Sequence, residues 1–268
     1  MKKIDNVLAV SIVLLILIYC TSAYEFIQAS RLDKSVNYTA YSFWNNVREE
    51  GFSSYMIYFI PLIIVTGSFY RFFQKIKSGH YTNCFTRMEY SKFMKKEIFK
   101  CYLKSMLIVP LCSMLVFIFA AIFYDLNIPT DTISTIRENV YLLNITDNLF
   151  LGVIIYTLAT SLFGILAINI AMILARYINK FYLLIISLIV TYELLNRVIN
   201  FTLVPFILNI FSKVKMDLGL NIFSFYTTRT FVITPLNNVI MYIGLIAVSF
   251  VLMHCLYADK EKMVLENE

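Results

Sequence analysis

The sequence predicts an all-α integral membrane protein. It reads as six transmembrane helices with both termini cytoplasmic, a short cytoplasmic helix between spans two and three, and re-entrant or interfacial helices between spans five and six. Three observations carry this. The 268 residues are 59% hydrophobic and only 15% charged, whereas a soluble domain is about half apolar and a quarter charged. The mean hydropathy is +0.72. Apolar runs of about twenty residues, the length a bilayer crossing requires, recur along the whole chain. With only 7 Gly and 5 Pro there is no linker-like segment, so residues 1–268 read as a single transmembrane domain.

The first span covers about 7–24. Met1, Lys2 and Lys3 precede it in the manner of a signal peptide, but the run is longer than a signal core and no small-x-small cleavage site follows, so an uncleaved helix is expected. A polar segment, 28–54, leads to the second span, about 55–73. The third, about 105–124, follows the most basic stretch of the chain. Polar residues 125–148 lead to the fourth span, about 149–174. The turn 175–180, with Arg176 and Lys180, leads to the fifth, about 181–199. The sixth covers about 235–257 and ends in a charged tail.

Orientation follows from Lys and Arg, which accumulate in cytoplasmic segments. With the N-terminus inside, the inner segments hold fifteen of them, nine between Arg71 and Lys104, against seven outside. Arg48 is counted among the outer seven. The apolar stretch 181–211 would reach about 46 Å as one helix, against a core of about 30 Å. Pro205 offers a break, so segments within 199–232 are expected to re-enter or lie on the outer leaflet.

Catalytic chemistry is not indicated. His80 and His254 do not form a His-Glu-x-x-His pair, and no Gly-x-x-x-x-Gly-Lys loop or Gly-x-Ser-x-Gly elbow occurs. The five cysteines have no paired spacing and read as packing residues. The chain is therefore expected not to be an enzyme, to hold no metal or cofactor of its own, and to bind no nucleic acid; its net charge of +6 reflects loop placement in a lipid bilayer. Charges inside the spans are sparse. Glu193 and Arg197 stand four apart and share a helix face, forming an intramembrane polar pair that either lines a path or clips a neighbouring helix. Asn169 is placed to act as interhelical glue. Glu25 falls at the outer end of the first span.

The informative segment joins spans two and three. Tyr81, Cys84, Phe85 and Met88 have helical spacing, Arg87 and Glu89 follow, and Ser91 is positioned to cap the next helix. This predicts a short amphipathic helix, a turn, and a helix climbing into span three. On the residues alone, a basic helix lying on anionic headgroups satisfies the pattern.

The arrangement also resembles the ABC-2-type transporter permeases: six spans, both termini inside, and between spans two and three a glycine, a short helix, an arginine and a basic entry into span three. Here these are Gly79, Tyr81 to Phe85, Arg87, Ser91 and Lys92. The resemblance implies that the short helix is a coupling helix docking on a cytoplasmic ABC ATPase dimer, with Gly79, Tyr81, Phe85, Arg87, Glu89 and Tyr90 at the contact. It implies that ATP and Mg sit on that partner, and that a second permease subunit, the same or homologous, completes the pore. It further implies a bacterial plasma-membrane exporter of a peptide, lipid or antimicrobial compound. The chain departs from the family at its start, where only residues 1–6 precede the first span and an elbow helix is absent or vestigial. A non-transporting membrane scaffold, immunity or sensor subunit is the alternative reading.

Overall fold

The computed structural model describes residues 6–32, 38–49, 51–78, 89–126, 148–198 and 235–257. Among these no strand occurs. The helices, in chain order, are α1 (Asn6–Leu32), α2 (Ala40–Glu49), α3 (Phe52–Tyr55), α4 (Ile60–Lys77, entered through a 3-10 turn at Ile57–Phe59), α5 (Tyr90–Phe123), α6 (Leu149–Tyr177), α7 (Phe181–Val198) and α8 (Pro235–Tyr257). The amphipathic helix expected over residues 81–88 and the re-entrant segments expected within 199–232 lie outside the described residues.

Three helices, α1, α5 and α6, are long and apolar enough to cross a membrane, and Phe181–Leu195 and Ile243–Tyr257 form shorter apolar stretches. Their outward faces carry Val10, Leu14, Leu17, Leu107, Leu111, Leu158, Ile186, Val190 and Val248, all strongly exposed. An apolar exterior of this extent is the surface of a membrane protein, with lipid as the solvent for those faces.

Local chemistry explains where the helices begin and end. The Asn148 side chain accepts hydrogen bonds from the N–H groups of Phe150 (3.0 Å) and Leu151 (3.2 Å), which caps α6. Pro61 sits in the first turn of α4, where its missing N–H has no intrahelical partner to lose. Lys75 and Lys77 occupy the last turn of α4 and complement its carbonyl end. α5 begins differently from expectation. Its N-cap residue is Glu89, with no side-chain capping bond, so Ser91 lies inside the helix and does not cap it. As expected of a helix that climbs into span three, it starts well before residue 105; it runs for 34 residues, about 51 Å.

α6 is the central helix and packs against α4, α5, α7 and α8, while α1 packs on α4. Two close crossings hold the layers together. A Cβ on Gly164 of α6 would lie 2.6 Å from the Ser105 carbonyl oxygen of α5, and one on Gly67 of α4 would lie 2.7 Å from the Ser11 Cβ of α1. Small residues allow this approach, and dispersion contacts over the crossing replace the hydrophobic driving force that lipid does not provide.

The segment 28–54, read from the sequence as a polar connection, carries real structure. α1 continues to Leu32, and α2 packs against α1 and α5. Ala40, Phe43, Trp44 and Val47, spaced i, i+3, i+4, i+7, are fully buried. The Trp44 indole N–H donates to the Ser113 carbonyl oxygen at 3.1 Å. The chain then turns at Gly51, whose φ of +58° favours glycine, and Glu25 accepts the Phe52 N–H at 2.8 Å.

Candidate functional site

Hydrogen bonds gather the helix ends that flank residues 79–88. Lys77 at the end of α4 donates to Asn179 in the α6–α7 turn at 2.8 Å. Tyr90, the first residue of α5, donates its hydroxyl to the carbonyl oxygen of Tyr257, the last residue of α8, at 2.9 Å. Tyr257 in turn donates to the Met172 carbonyl oxygen of α6 at 2.8 Å. Four helices thus meet at one end, where the basic residues concentrate.

Between α4 and α5 at this end, Glu97 is buried and takes two ammonium groups. Lys75 Nζ lies 2.7 Å from Glu97 Oε2, and Lys100 Nζ pairs with Oε1. The side chains of Lys75 and Lys100 are 38% and 51% exposed, against 11% for Glu97. Burial alone would raise the Glu97 carboxyl pKa. The two lysines outweigh it and hold the pKa below the ordinary carboxylate value. Glu97 lies two turns before the expected third span at 105–124.

Of the residues expected to contact an ATPase, Gly79, Tyr81, Phe85 and Arg87 lie outside the described residues. Glu89 and Tyr90 are described. Glu89 pairs with Lys92 at 3.2 Å, with both side chains well exposed, and Tyr90 makes the bond to α8 above. Elsewhere, Arg197 Nε lies 2.9 Å from Glu193 Oε1, with side chains 67% and 38% exposed. This pair faces outward from the single chain.

Deeper in the bundle a polar relay joins α5, α6 and α8. The Tyr102 hydroxyl donates to Asn169 Oδ1. Asn169 Nδ2 donates to Ser249 Oγ at 2.8 Å, and Ser249 passes its own proton donor to the Ile246 carbonyl oxygen at 2.9 Å. Asn169 is fully buried and both ends of its amide are used. It links three helices, as its position in an apolar span suggests.

The residue whose burial sequence reasoning missed is Arg48. It is fully buried, with its guanidinium carbon 4.7 Å from the Trp44 ring centroid and 4.5 Å from that of Tyr156. The two ring faces contribute about 0.5–2 kcal/mol each to holding the cation. The signal in the sequence was the i, i+4 spacing of Trp44 and Arg48; the Tyr156 contact carries no sequence signal. Among the described residues no group of three or more His, Cys, Asp or Glu side chains is placed to hold a metal ion.

No family model matches the chain, and it matches no curated protein and no solved structure.

Proposed function

We propose that the chain is the membrane-spanning permease subunit of an ATP-driven ABC-2-type transporter in a bacterial plasma membrane. In this reading it has six spans with both termini cytoplasmic, and it works with a second permease subunit, the same or homologous, and a dimer of cytoplasmic ABC ATPases. ATP and Mg belong to that dimer. The cargo is a peptide, lipid or antimicrobial compound moved outward.

The observation that carries the reading is the mount on either side of residues 79–88. α5 is 34 residues long, about 51 Å, against a hydrocarbon core of about 30 Å. About 20 Å of helix, including Lys92, Lys95, Lys96 and Lys100, therefore extends beyond the core on the basic side. The extension is braced by the Lys75–Glu97 ion pair and the Tyr90–Tyr257 hydrogen bond. A rigid lever of this kind suits a loop that receives a push from an ATPase. From Tyr90 the push has a direct route to the α8 terminus and α6, and the Tyr102–Asn169–Ser249 relay couples the same helices within the bilayer. Phe85 supplies an apolar contact to the ATPase cleft, and Arg87 a charge for an acidic rim.

The test is a mild-detergent pull-down of the tagged protein from its native membrane, with mass spectrometry. Recovery of an ABC ATPase that Phe85→Ala/Arg87→Ala releases, with membrane insertion intact, supports the reading. A chain that comes down with no ATPase, or transport unchanged in the double variant, sinks it and leaves the scaffold, immunity or sensor reading.

A further inference from the structure

We infer that the seam between α4 and α5 binds an anionic phospholipid, with the phosphate on Lys75 and Lys100 and an acyl chain along the leucine face of α5. Charge comes first. The Glu97 cluster contains two ammonium groups and one carboxylate, so it carries one uncompensated positive charge. A phosphodiester headgroup such as that of phosphatidylglycerol carries one negative charge and neutralises the cluster. Glu97 takes a single hydrogen bond from each lysine, and each ammonium has three N–H donors. Two donors on each lysine therefore stay available for phosphate oxygens. Glu97, anchored by its burial, keeps both ammonium groups at the seam instead of letting them range through solvent.

The apolar half of the site follows from spacing. Beyond Lys100 the same face of α5 presents Leu103, Leu107, Leu111 and Leu115 at four-residue intervals, and all four are about half exposed. They cover about 18 Å of helix, close to one leaflet of a core about 30 Å thick. Leu115 ends the track at an apolar groove of about 340 Å³ between α1 and α5, lined also by Ile16, Tyr19, Cys112 and Phe119. Basic residues continuous with an acyl-length leucine stripe select a lipid over a free anion, and basic sites between helices at the cytoplasmic surface hold anionic headgroups. The inference uses the proposed orientation, which puts this end at the inner leaflet, and is independent of any ATPase.

The experiment compares thermal unfolding of the full-length protein in nanodiscs of phosphatidylglycerol and of phosphatidylcholine with matched acyl chains. The wild type is expected to unfold several degrees higher in phosphatidylglycerol. Lys75→Gln/Lys100→Gln loses that difference. Lys75→Arg/Lys100→Arg keeps it, as does Lys92→Gln/Lys95→Gln, which removes equal charge outside the cluster. If the glutamine pair does not fold, Lys100→Gln alone is read and loses at least half of the difference. Equal stability in the two lipids overturns the inference, as does an equal loss in the Lys92/Lys95 variant, which makes the effect diffuse charge. Soluble glycerophosphate giving the same gain in detergent overturns the lipid and leaves a bare anion site. An ATPase-free pull-down with the lipid preference intact removes the permease reading and leaves this site standing.

Discussion

Asn169 is the residue whose replacement tests the packing of the bundle most directly. Its amide accepts from Tyr102 and donates to Ser249 while fully buried. Asn169→Leu keeps roughly the same shape and removes both bonds. Ser249 still donates to the Ile246 carbonyl oxygen, so its hydroxyl is not stranded. Tyr102 keeps only the Met253 sulfur at 3.7 Å, a weak acceptor. Interhelical hydrogen bonds inside a bilayer contribute about 0.6 kcal/mol on average and up to about 1.7 kcal/mol. Two such bonds put the cost of Asn169→Leu at about 1–2 kcal/mol. Tyr102→Phe removes one bond and leaves an amide oxygen without its donor, a cost of about 1 kcal/mol.

The double variant decides the matter. With both partners apolar no polar atom is stranded between them, so the double variant is expected to be less destabilised than the sum of the singles, by about 0.6–1.7 kcal/mol. The assay is reversible unfolding in mixed bilayer micelles, followed by tyrosine fluorescence or circular dichroism. Additivity within about 0.3 kcal/mol, the behaviour of independent sites, would refute the bond between Tyr102 and Asn169 and, with it, the relay across α5, α6 and α8.

Three further outcomes follow from the geometry. Gly164→Ala puts a methyl group 2.6 Å from the Ser105 carbonyl oxygen, a backbone atom that cannot rotate away; overpacking of this kind costs about 1–3 kcal/mol, read as a lower unfolding midpoint in the same assay. Trp44→Phe removes the indole bond to Ser113 and shrinks the ring face under Arg48, with a loss of about 1–2 kcal/mol and faster proteolysis within residues 38–49. Glu97→Gln destabilises the protein at neutral pH. Because the folded-state pKa of Glu97 is lowered, its stabilisation is fully present above the unfolded value of about 4.3 and lost as pH falls through the lower folded value. The gap between wild type and Glu97→Gln therefore narrows in acid, and a gap that widens there would contradict the pairing with Lys75 and Lys100.

Legibility in the sequence divided along a physical line. Long apolar helices announce themselves because every residue contributes to the average, so α1, α5 and α6 coincide with apolar runs centred where the composition placed them. Their ends were less visible. Residues 90–104 of α5 carry five lysines and lower the local hydropathy, so the apolar run begins only at 105, while the helix itself, expected from Ser91 onward, is held by its backbone bonds and continues through charged residues as readily as apolar ones. α2 was missed for a related reason. Asn45, Asn46, Arg48 and Glu49 give the segment a polar average, yet Ala40, Phe43, Trp44 and Val47 keep a strict helical stripe. A periodicity reading of 38–49 would have found the helix where an averaging one could not.

Arg48 marks where such reading ends. Counting it with the outer loop charges was consistent with its neighbours in sequence, since a lone cation is rarely buried. Burying it costs several kcal/mol unless the environment compensates. Trp44, one turn earlier on the same face, is visible in the sequence as part of that compensation. Tyr156 adds to it from 4.5 Å away on a helix more than a hundred residues distant along the chain, and no local pattern connects the two. The burial of Arg48 is therefore a consequence of α2 packing beside α6. The cation reports on that packing: a variant that loosens α2 from the bundle exposes Arg48 to water, and hydration of the guanidinium offsets part of the cost of opening this end of the bundle.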